Sequence, residues 1–122
     1  MTHVVIILSN YMSDETNNLT SNARRALVLA KEEAQMLRNK YCGTEHILLG
    51  LINMGDTLVS SVLENFEVDM DELRHVIYDN ISQEGNDPVS LKDITLTPRV
   101  NRVIKRAESF AAKLERDKVD VE

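Results

Sequence analysis

From Leu19 onward the apolar positions fall on a helical period. Ala23, Ala26, Leu27, Ala30, Ala34 and Leu37 step by three and four, with Arg24, Arg25, Lys31, Glu32 and Arg38 on the other side, so the pattern predicts a long amphipathic helix over 20–39. Thr20 or Ser21 is placed to cap its start and Gly43 marks its exit. A second helix is expected over 45–54 with Thr44 as its cap, and Ile47, Leu48, Leu49, Leu51, Ile52 and Met54 leave it almost no polar face. Such a helix must be central. Gly50 within it costs roughly 1 kcal/mol against Ala, a cost offset where another backbone comes close.

Gly55 and Asp56 break the chain before a third helix over 57–66, whose Leu58, Val59, Val62, Leu63 and Phe66 form one stripe. Asp69 and Glu72 have the spacing of a capping box for a fourth helix carrying Met70, Leu73, Val76, Ile77 and Ile81. Residues 84–95 show no period and hold Gly, Asn, Asp and Pro, so they read as a linker or surface loop. Thr97 as cap and Pro98 at the first helical position open a fifth helix.

The fifth helix repeats the first. An offset of 77 places Leu96 on Leu19, Thr97 on Thr20, Arg102 on Arg25, Ala107 on Ala30, Ala111 on Ala34, Leu114 on Leu37 and Glu122 on Glu45 without a gap. Val100, Val103 and Ile104 fall on Ala23, Ala26 and Leu27, so the buried face is reproduced as well as the letters. At 122 residues the chain has the size of one domain. Its 43% hydrophobic content, with only 4 Gly and 2 Pro, excludes collagen-like and fully disordered chains, and 4% aromatics favour an all-α fold over a β-sandwich.

Charge and motif chemistry narrow the function classes. Fourteen basic against 20 acidic residues give a net charge of -6, so nucleic acid is not the expected partner. Acids concentrate over 64–87 and bases over 99–118, which solvated helix faces explain. The apolar run Val4–Leu8 is far too short for a membrane span and lacks a basic flank, so a soluble, cytoplasmic protein without a membrane partner is expected. Gly50, Gly55 and Thr57 have phosphate-loop spacing, but Asp56 stands where the lysine should be and the stretch follows no strand. A small metal-binding or hydrolytic protein would have to use Cys42, His46, Glu72 and His75. Cys42 and His46 supply at most two donors, and the single Glu72/His75 pair lacks the second pair that a di-iron bundle needs. No metal, cofactor or catalytic group is therefore expected.

The run Gly-Thr-Glu-His-Ile-Leu-Leu-Gly-Leu at 43–51, preceded by Ala-Arg-Arg-Ala-Leu and Ala-Lys-Glu-Glu-Ala, closely resembles the Clp repeat of the amino-terminal domains of Clp ATPases, especially the ClpC type. The resemblance implies a complete four-helix repeat over 19–83, the 84–95 loop, and the first helix of a truncated second repeat over 96–122, with 1–18 an extension outside it. It departs from the family pattern in the second copy, which reads Val119, Asp120, Val121, Glu122 where Gly-Thr-Glu would recur and so keeps only the carboxylate of Glu122. Met12 offers an alternative start, and Val4–Leu8 either covers apolar surface beside the second repeat or is disordered. The chain fits a fragment of a longer unfoldase or a stand-alone repeat protein. A fragment is preferred, because a repeat cut inside its second helix leaves the fifth helix without cover.

By resemblance the chain is a docking module without catalysis of its own, which receives protein substrates and adaptor proteins for the ATPase rings of its parent. Some ClpC-type members recognise phosphorylated arginine, which implies that Gly43, Thr44 and Glu45, with Glu122 of the second copy, form the binding site. Glu45 would meet the guanidinium and Thr44 with its backbone the phosphate. Capping alone also explains Thr44 and Glu45. The apolar face of the fifth helix, from Val100 to Leu114, invites a dimer of the isolated chain.

Overall fold

The computed structural model describes residues 19–55, 57–81, 87–114 and 118–121. The expectations for residues 1–18, including Val4–Leu8, lie outside them. Five helices carry the fold: α1 (Ser21–Met36), α2 (Thr44–Asn53), α3 (Leu58–Asn65), α4 (Met70–Asn80) and α5 (Pro98–Lys113). Two features depart from a purely helical reading: β1 (Tyr41–Cys42) pairs in parallel with β2 (Thr95–Leu96), and a 3-10 turn (Leu91–Asp93) occupies the expected loop.

Thr20, Thr57, Asp69 and Thr97 cap α1, α3, α4 and α5 by accepting bonds from backbone amides of the first turn. The first helix is shorter than its periodicity suggested. Arg38 adopts φ 56, its N–H bonds to the Gln35 carbonyl, and the Asn39 N–H reaches the Ala34 carbonyl at 2.8 Å, which closes the helix well before Gly43. Glu67, at φ 60, ends α3 in the same way.

The α1–α2 pair is the tightest contact in the fold. A Cβ on Gly50 would stand 2.5 Å from the Ala26 carbonyl oxygen and 2.9 Å from the Ala30 nitrogen, so the two backbones meet where glycine was expected to allow it. Leu49, Ile52 and Ile77 form a core between α2 and α4; Ala30, Ala34, Cys42 and Ile94 form a second; Leu19, Ala23, Leu27, Val100 and Ile104 join α1 to α5. Lys31, on the polar side of the α1 period, is buried, whereas Val76, in the apolar set of α4, is exposed. Glu33, also buried, accepts bonds from Tyr78 Oη at 2.7 Å and Asn53 Nδ2 at 2.6 Å and ties α1 to α4 and α2. Burial, followed by this bond, pushes the Tyr78 hydroxyl up to about 12.

The offset of 77 reappears in the backbone hydrogen bonds. Cys42 pairs with Leu96 in the β1–β2 ladder, and Leu19 pairs in parallel with Val119. The Thr97 N–H donates to the Cys42 carbonyl at 3.1 Å, and the Thr20 N–H donates to the Val119 carbonyl at 2.8 Å. Shifting one pair by 77 and reversing its partners gives the other, so the segment before each long helix is clasped by the segment that follows the other one.

Candidate functional site

The β1–β2 pairing brings the start of α2 beside the start of α5. Gly43, Thr44 and Glu45 line a cleft of about 370 Å3 together with Thr97, Pro98, Arg99 and Arg102. Thr44 is half-buried, while Glu45, Arg99 and Arg102 are exposed. No ion pair joins Glu45 to either arginine, so the carboxylate and both guanidinium groups can face a ligand. As the first two residues of α2, Thr44 and Glu45 have amides with no partner inside the helix, at its positive end. One open cleft thus presents backbone donors, two cations and a carboxylate.

Thr44 was expected to cap α2, but the cap residue is Gly43, and Thr44 is the first helical residue. Having no side chain, Gly43 contributes no capping acceptor. Instead the His46 ring reaches back, and the Gly43 N–H donates to its Nδ1 at 2.9 Å. An acceptor at Nδ1 requires the proton on Nε2, which stands 2.9 Å from Asn39 Oδ1 and donates to it. Burial lowers the pKa of this ring, opposed by Glu45 and Glu33. The 3.6 Å approach of Glu45 Oε1 to His46 Nδ1 therefore joins a carboxylate to a neutral ring and is not an ion pair.

The structure brings together three of the four expected site residues, Gly43, Thr44 and Glu45; Glu122 lies outside the described residues. Nothing in the sequence marks Arg99 and Arg102 as site residues, because only the pairing of Cys42 with Leu96 makes 43–45 and 97–102 neighbours. The rival set is scattered: Cys42 and His46 are buried, whereas Glu72 and His75 are exposed on α4. Burial pushes the Cys42 thiol up to about 12, which suits packing and not nucleophilic attack. Among the described residues no three His, Cys, Asp or Glu side chains are grouped to hold a metal, and no single helix is long and apolar enough to cross a membrane.

The family described as the Clp repeat (R) N-terminal domain matches residues 18–122. A probable ATP-dependent Clp protease ATP-binding subunit of Chlamydia pneumoniae is 37% identical over 103 residues, 84% of this chain and 12% of that protein. The ATP-dependent Clp protease ATP-binding subunit ClpC of Staphylococcus aureus (strain USA300) is 35% identical over 104 residues, 85% of this chain and 12% of that protein. The chain thus spans about an eighth of the length of these relatives. The N-terminal domain of ClpD from Arabidopsis thaliana superimposes with a TM-score of 0.66 at 19% identity, over 86% of this chain and 71% of that one. The N-terminal domain of the ClpV1 ATPase from E. coli gives 0.69 at 18% identity, over 98% and 69%.

Proposed function

The chain belongs to the Clp repeat N-terminal domain family, and from that premise we propose that it is a docking module that receives protein substrates or adaptor proteins for an ATP-driven unfoldase and performs no catalysis itself. The observation that carries the reading is the cleft in which Glu45 shares a wall with Thr44, Arg99 and Arg102. Its ligand bears a cation beside an anion. A phosphorylated arginine on a protein substrate meets that description, with its guanidinium on Glu45 and its phosphate on the Thr44 and Glu45 amides and the two arginines. The relatives supply the context, since they are named as ATP-binding subunits of an ATP-dependent Clp protease and this chain matches 12% of their length.

Calorimetric titration of free phosphoarginine into the purified chain and into Arg102→Ala tests the reading. Saturable binding that the substitution weakens supports it; equal affinity in both proteins, or none in either, removes the cleft as the docking site.

A further inference from the structure

Buried and almost wholly enclosed at 2% exposure, His46 carries no part of the docking chemistry, yet it touches both residues that shape one wall of the cleft. Its Nδ1 accepts from the Gly43 N–H at 2.9 Å, its Nε2 donates to Asn39 Oδ1 at 2.9 Å, and Glu45 Oε1 lies 3.6 Å from Nδ1. The Glu45 carboxylate folds back over Gly43 so closely that a Cβ there would meet Oε1 at 2.5 Å. Gly43 fixed by the ring and bare of a side chain is thus the floor on which the carboxylate rests.

We propose that His46 is a positioning residue of this cleft: its uncharged ring holds Gly43, and through it the Glu45 carboxylate, in the place where a ligand cation would meet it, and protonation of the ring dismantles that arrangement. A proton can enter only at Nδ1, since Nε2 already carries one. The new N–H repels the Gly43 N–H, which loses its acceptor, and attracts Glu45 Oε1, which swings toward the ring and away from the ligand. The charged groups facing the ring are Glu45 on its own helix and Glu33 on α1, with the neutral Asn39 holding Nε2; Tyr41 lines the adjoining cleft. Both carboxylates favour the protonated ring and burial opposes it.

The role of Glu45 in this inference rests on the docking reading; the coupling between ring, Gly43 and Glu45 does not. The test is an NMR titration of the isotope-labelled chain from pH 8 to 5, reading the His46 ring nitrogens, the Gly43 amide and the Glu45 side-chain carboxyl carbon. The expected result is an Nε2–H ring that protonates below 6.5, with the Gly43 and Glu45 signals moving at the same midpoint. His46→Gln, whose side-chain oxygen can take the Gly43 N–H, should keep that amide protected and abolish the shared midpoint; His46→Ala should speed its hydrogen exchange about tenfold. An Nδ1–H ring, or Gly43 and Glu45 signals indifferent to the ring's titration, overturns the proposal. Phosphoarginine added at pH 7.5 forms a separate arm: no binding there with the coupling intact refutes the docking reading and leaves the positioning role standing.

Discussion

At the scale of the residue, Glu45 and His46 divide the work between surface and interior. A charge-assisted bond from a ligand guanidinium to Glu45 contributes about 1.5 to 3 kcal/mol, so Glu45→Ala is expected to weaken phosphoarginine binding about tenfold or more while leaving thermal stability nearly unchanged, as calorimetry of binding and of unfolding can check. His46 links the site to stability. Its folded pKa lies below the ordinary 6.5, so the unfolded chain binds more protons in the window just under that value. The contribution of the neutral ring is therefore complete above 6.5 and is lost as pH falls toward the folded value. Urea unfolding at pH 7.5 and at pH 5.5 should show a larger loss in the wild type than in His46→Gln, and equal losses would contradict this assignment. The sequence shows Thr44 and Glu45 as helix-start residues. It does not show that Gly43 is the cap, because glycine offers no acceptor, and the substitute acceptor His46 becomes visible only when its ring is placed.

At the scale of the element, helix starts were legible and helix ends less so. Thr20, Asp69 and Thr97 cap as their chemistry suggests, and Thr57, the first residue of the expected third helix, caps α3; but α1 and α3 close on Arg38 and Glu67 in the left-handed region, which no glycine announces. Glu67, exposed at φ 60, bears the steric cost of an L-residue there. Glu67→Gly is expected to raise stability by about 0.5 to 1 kcal/mol in urea unfolding, after the entropic cost of glycine is deducted. Gly50 presents the opposite case. Its missing Cβ would meet the Ala26 and Ala30 backbone, which cannot yield as a side chain would, so Gly50→Ala should force α1 and α2 apart and cost about 3 kcal/mol or more by the same measurement. The two-residue strands were illegible for a plain reason: a ladder of Tyr41–Cys42 with Thr95–Leu96 is too short to impose a period of two on the sequence.

At the scale of the whole molecule, the internal repeat was the most informative feature of the sequence, and the structure shows what it builds. The offset of 77 sets two equivalent clasps, Cys42 with Leu96 and Leu19 with Val119, which hold α1 and α5 together at their starts. Arg99 and Arg102 stand in the cleft as a consequence of the first clasp. The second face of α5 is open: Val103 is 47%, Phe110 60% and Leu114 67% exposed, a stripe seven and eleven residues long from its first member. Light scattering at high concentration is expected to detect self-association of this chain through that stripe, and a strictly monomeric mass would count against it. The central claim concerns the other end of the helix, where two helix starts line one cleft and we propose that it takes a zwitterionic ligand. Amide-shift mapping of the labelled chain with phosphoarginine tests it most directly: the account predicts saturable shifts confined to 43–47 and 97–102, and shifts elsewhere, or none at saturating ligand, would contradict it.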